Sequence, residues 1–148
     1  MNKSFILFAV LASATPAFVQ AAAAEARAAP SPDRPCSFAT TSEVSSLIGA
    51  GITSAADERF RCKYQLADGW LETKLMDYGL KASRDIYDYN KARGKPIAGV
   101  GDQAYVLGAT LAVKLGDVVI VVDASNMRRP PGDAKLAAVA RKIVSRIP

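Results

Sequence analysis

The chain has 148 residues, half of them apolar, which is enough for one domain with its own core and excludes a wholly disordered protein. It has no histidine, so the commonest general base and the commonest neutral metal ligand are missing, and its two cysteines cannot make a four-ligand zinc site. Net charge is +5, and the stretch from Cys36 to Pro148 carries 16 Lys+Arg against 12 Asp+Glu. The plainest reading of that excess is a solvated surface. The sharper one is an acidic partner, either an envelope protein, a polyanionic polymer or anionic lipid. Nucleic acid would call for a concentrated basic run with interleaved aromatics, which the chain lacks.

Residues 1–24 read as a secretory signal peptide. Lys3 supplies the charged start, Phe5 to Ala14 the apolar stretch, and Pro16 the helix break. Val19-Gln20-Ala21 satisfies the small-x-small rule, and cleavage within Ala22 to Ala24 satisfies it as well. The apolar run is too short for a spanning helix, so no membrane span is expected after cleavage. The product is therefore expected in the periplasm or outside the cell. Residues 25–35, rich in Ala, Pro, Ser and charge, predict a flexible linker.

The folded part opens at Thr40. Thr40 and Glu43 form a capping-box pattern ahead of a short helix with Val44, Leu47 and Ile48 on one side, ended by Gly49 and Gly51. Phe60 to Leu66 alternates as a strand, with Phe60, Cys62, Tyr64 and Leu66 on one face and Arg59, Arg61, Lys63 and Gln65 on the other. Asp68-Gly69 predicts a hairpin into Trp70 to Met76. Cys62 thus points into the core while Cys36 stands before the first helix. In an exported chain the pair is expected as a structural disulfide, and closing 27 residues contributes about 3–4 kcal/mol.

A helix is predicted over Ser83 to Arg93, capped by Ser83, with Ala82, Ile86 and Tyr89 on its apolar face and Lys81–Asp85 and Arg84–Asp88 paired outside. Its acidic residues lack the spacing of a calcium loop. Pro96 to Asp102 reads as turns. Gly99-Val100-Gly101 has neither the preceding strand nor the following helix of a dinucleotide fingerprint, and no cofactor is expected. Gln103 to Leu107 is a strand. It is followed by a hairpin, Thr110 to Leu115 and Val118 to Val122, turning at Gly116-Asp117. The second arm is apolar on both faces, which predicts a central strand. After the loop Asn126 to Gly132, Asp133 is expected to cap a last helix. That helix has the stripe Leu136, Val139, Ala140, Ile143 and Ile147, with Lys135, Arg141, Lys142 and Arg146 outside.

The expected fold is α+β, in the order α-β-β-α-β-β-β-α. It has an antiparallel sheet of about five strands and helices mainly on one face. Cys36, Thr40, Thr41, Glu43-Val44, Leu47, Gly49 and Cys62-Lys63-Tyr64, with Gly99 to Tyr105 and Leu111 to Asp117, resemble a group of small exported bacterial proteins of unknown function. Many actinobacterial members of that group are lipoproteins. The resemblance implies an α+β domain and an envelope location, and no reaction. This chain departs in lacking a lipobox before Cys36.

No acid–base constellation stands out, so the chain is expected to be a non-catalytic binding or protein-interaction module, in one version an inhibitor. Its candidate contact residues are Arg128 and Arg129 in the last loop, stiffened by Pro130-Pro131, and Arg59, Arg61 and Lys63 on the sheet. The alternative is a small-ligand carrier with a pocket between sheet and helices lined by Phe60, Tyr64, Trp70 and Tyr89. A hydrolase working through carboxylate pairs is the remaining and weakest expectation.

Overall fold

The computed structural model describes residues 30–148; the expected signal peptide and residues 25–29 of the expected linker lie outside the described residues. A short 3-10 turn, Pro35–Ser37, leads into α1 (Thr41–Ile48). The hairpin strands β1 (Ile52–Glu58), β2 (Arg61–Leu66) and β3 (Gly69–Asp77) follow, then α2 (Lys81–Lys91). The chain continues through β4 (Lys95–Pro96), β5 (Gln103–Leu107), β6 (Thr110–Leu115) and β7 (Val118–Asp123), and ends with α3 (Asp133–Val144). The strands form one antiparallel sheet of seven, ordered β1-β2-β3-β7-β6-β5-β4.

β7 occupies the middle of this sheet, as its apolar run on both faces predicts. Ile120 and Val122 join the main core with Leu71, Leu111, Val113, Tyr64 and the buried stripe of α3. Val119 faces the other way, into a smaller cluster with Tyr87, Tyr105 and Ala112. α1 and α3 share the main core, whereas α2 lies on the opposite face. Two of the three helices are thus on one side.

The sheet has two more strands than the sequence suggests. β1, I-T-S-A-A-D-E, offers no apolar alternation and several residues of low strand propensity. It is a strand because its backbone pairs with β2, from Ile52↔Leu66 to Glu58↔Arg61. β4 is two residues long and contains a proline, which only a sheet edge tolerates.

Several local expectations change for tertiary reasons. Phe60 does not share the buried face of β2; with Arg59 it forms the β1–β2 turn and is 66 % exposed. α2 starts at Lys81 after Leu80, without a side-chain cap from Ser83. It buries Tyr87 and leaves Ile86 and Tyr89 exposed, because Tyr87 packs edge-on to Tyr78 and against Tyr105. Lys81 pairs with Asp85 as expected, but Asp88 accepts from Tyr78 Oη rather than from Arg84. Gly132, not Asp133, is the cap position of α3, and Asp133 pairs with Lys95 at 3.0 Å.

The capping box of α1 forms, and Gly49 closes the helix in the left-handed region at φ 69°. The Cys36–Cys62 disulfide is present, with Cα atoms 4.8 Å apart. Cys62 is fully buried. Two residues along β2, the Tyr64 hydroxyl donates to Ala39 O at 2.5 Å. The basic residues of α3 do not simply decorate its surface. Lys135 donates to Ile48 O, Arg141 to Gly99 O, and Arg146 to Phe38 O and to the Glu43 carboxylate, with Lys142 also on Glu43.

Burial pushes the phenols of Tyr64 and Tyr87 up from 10.0 to about 12. Between those values the native state holds protons that the unfolded chain has lost. Stability is therefore full below pH 10 and falls as pH rises toward 12. Tyr64→Phe should cost about 1–3 kcal/mol at neutral pH, since Ala39 O loses its donor. It should also remove about 1.4 kcal/mol per pH unit from the alkaline slope. Urea melts at pH 7 and across pH 9–11.5 would check both; an unchanged alkaline slope would contradict the assignment.

Candidate functional site

The site arises where two neighbouring strands differ in length. β2 begins at Arg61, opposite Lys74. β3 runs on to Asp77, pairing with β7 through Asp77↔Val118. The last link across to the β1–β2 turn is Leu75 N–H donating to Phe60 O at 3.0 Å. Beyond it, Met76 and Asp77 pair on the β7 side alone. Alternation then sends Leu75 to one side of this step and Met76 to the other.

The step opens into a groove of about 1060 Å3. Its walls come from the β1–β2 turn, the entry to α2, the β6–β7 turn, the segment around Pro30 and Pro32, and the end of the chain after α3. The apolar surface comes from Phe38, Phe60, Leu75, Met76, Leu80 and Ile147. Two of these, Phe60 at 66 % and Leu80 at 59 %, are among the most exposed large apolar residues described.

Arg59 stands at the lip. Its φ of +49° is the only positive value at a non-glycine residue among those described, a conformation that costs about 1 kcal/mol or more. Its guanidinium has no partner among the described residues. The neighbouring cations are engaged. Arg61 meets Glu58 at 2.8 Å and Glu72 at 3.7 Å, and Lys74 meets Glu72 at 3.0 Å. Lys63 lies 4.3 Å over the Trp70 ring, and Trp70 Nε1–H donates to Glu72 Oε1 at 3.2 Å. Asp77 and Asp117 also line the groove, as does Glu58, the residue before Arg59.

Glu72 is the centre of the charged ladder on this face and is only 7 % exposed. Burial alone would raise its carboxyl. The hydrogen bond and charge of Lys74, the Trp70 N–H and the Arg61 charge outweigh that and hold it below the ordinary value of 4.5.

The expected pocket residues do not come together. Phe60 lines the groove, Tyr64 is buried in the main core, Trp70 lies in the charged ladder, and Tyr89 is exposed on α2 beneath the Arg93 guanidinium. Arg61 lines the groove beside Arg59, and Lys63 sits further along β2 over Trp70. Arg128 and Arg129 are exposed at the other end of β2 and β3, where Arg128 N–H donates to Asp68 O at 3.1 Å. A Cβ on Gly69 would come within 2.0 Å of Asn126 O, so this loop seats on the β2–β3 turn only because residue 69 is glycine.

Sequence reasoning missed Leu75, Met76, Leu80 and Phe38 as groove residues. Their neighbourhood depends on where β2 stops, and no local pattern marks that point. No group of His, Cys, Asp or Glu side chains suited to a metal occurs among the described residues. None of the described helices is long and apolar enough to cross a membrane. No protein-family model, no curated protein and no solved structure matches the chain.

Because the Glu72 carboxyl is depressed, its contribution is present above pH 4.5 and is lost as pH falls through the lower native value. Glu72→Gln should destabilise by about 1–3 kcal/mol at pH 7 by leaving Lys74 without its carboxylate and Arg61 with Glu58 alone, and the deficit should shrink on acidification. Melts of both proteins from pH 7 to pH 3 measure this; a deficit constant with pH would show that the carboxylate charge is not what matters.

Proposed function

We propose that this is an exported, non-catalytic binding module of the cell envelope that carries a small amphipathic ligand in the groove at the end of β2. The observation that carries the reading is the Arg59-Phe60 turn. A strained backbone holds a cation without a partner among the described residues and an exposed aromatic side by side over an apolar groove of ligand size. Such a groove suits an apolar body with an anionic head. The head would meet Arg59, whose neighbour Glu58 is already engaged by Arg61. The disulfide and the resemblance to exported proteins support the envelope location.

Binding of a fluorescent C11–C12 carboxylate by the purified protein is the direct test. Arg59→Ala should weaken it by about 10-fold or more, the worth of a hydrogen bond to a charged group. It should leave stability nearly unchanged, because alanine keeps the Cβ that the positive φ strains and Arg59 has no ion pair among the described residues. Phe60→Ala should weaken binding of both the carboxylate and the matching alcohol. Equal affinity of wild type and Arg59→Ala for the carboxylate would sink the reading.

A second reading rests on the seating of the 126–132 loop. Met127 is buried and the Arg128 backbone is tied to Asp68, while the Arg128 and Arg129 side chains are exposed without partners among the described residues. A pre-ordered loop of this kind loses little entropy on meeting an acidic envelope protein or polymer. Binding to a polyanionic envelope polymer should then fall in Arg128→Ala/Arg129→Ala, with a difference that shrinks as salt rises. A difference that persists at high salt would argue against a charge-based contact.

A further inference from the structure

The two edges of the sheet are built differently. β4 ends one side with two residues, one of them a proline and the other a lysine held by Asp133. A short strand with Pro and Lys resists further pairing. β1 ends the other side with seven residues, and Thr53 to Asp57 are all exposed. Thr53-Ser54-Ala55-Ala56 contains no charge, no proline and no large side chain. Its one irregularity is a register shift between Ile52 and Ser54, where Thr53 Oγ1 donates to Gln65 O.

We propose that β1 is the surface through which two copies of this chain join, edge to edge and antiparallel, about a two-fold axis at Ala55. The charge pattern of the strand fits a second copy in this direction. Both carboxylates, Asp57 and Glu58, lie at one end of β1. A parallel copy would set like charges side by side. An antiparallel copy centred on Ala55 sets Asp57 against Thr53 and Ser54 against Ala56, with no carboxylate facing another. Asp57 already accepts from Cys36 N at 2.7 Å and Glu58 from Arg61, so neither needs a cation from the second copy. The small side chains bury little within one copy. Their use is to let a second backbone approach and complete the ladder of a strand that has few strand-forming residues. The sheet then continues across the axis and the unguarded edge disappears.

Sedimentation equilibrium of the purified, disulfide-bonded protein tests this. Wild type should dimerise, with the monomer recovered only on dilution. Ser54→Lys/Ala56→Lys sets lysines against lysines across the axis and should raise the dissociation constant at least about 10-fold. Ser54→Glu/Ala56→Glu should do the same alone, and mixing the two variants should restore a heterodimer. Either double variant serves if the other fails to fold, since each predicts loss of self-association. A wild type that is monomeric at about 100 µM, or double variants that dimerise as well as wild type, overturns the proposal. A β1-dependent complex with a different protein and no self-association overturns it as well.

Discussion

Everything on the main-core side of the sheet depends on how β2 holds the segment before α1. Cys62 bonds Cys36 covalently, and Tyr64, two residues on and pointing the same way, donates to Ala39 O. The backbone from 36 to 39 is thus fixed at both ends to one strand face, and α1 begins at once beyond it. α1 has only eight residues, too short to stand by its own propensity. Its position is inherited from β2.

The Glu43 carboxylate extends that constraint to the far end of the chain. It completes the capping box at Thr40 N and receives Arg146 at 2.6 Å and Lys142 at 3.3 Å. One carboxylate therefore serves the positive end of α1 and the basic end of α3 together. Lys135 closes the other end of the pair by donating to Ile48 O. The position of α3 matters for the groove, because Ile147 and Pro148, just after it, form one of the walls. A covalent bond near the start of the domain and an ion pair near its end thus both bear on the walls of the same groove, through Phe38 and Ile147.

The two faces of the sheet divide the work. One is covered by α1 and α3 and is almost wholly apolar. The other is split. α2 covers an aromatic cluster around Tyr87, and β2 and β3 carry the ladder of Arg61, Lys63, Glu72 and Lys74. The ladder engages its own cations, whereas Arg59, outside it, has no partner among the described residues.

The strongly patterned elements were legible from residues alone. Thr40 and Glu43 marked the start of α1, Gly116-Asp117 the turn of the β6–β7 hairpin, the run Val118 to Val122 the central strand, and the α3 stripe its buried face. In each case the local signal and the tertiary demand agree. β1 and β4 were not legible, because a strand held by its partner's backbone needs no side-chain pattern of its own. The buried side of α2 was misread for a related reason. Ala82, Ile86 and Tyr89 form the more apolar stripe, but the aromatic surface waiting at Tyr78 and Tyr105 accepts Tyr87. The groove lies furthest from the sequence. Its residues come from the N-terminal segment, β3, two turns, α2 and the C-terminus, and a difference in the lengths of β2 and β3 brings them together. Composition and periodicity determine which surfaces must be buried; only the packed chain decides which are left open, because that depends on where each strand's partner ends.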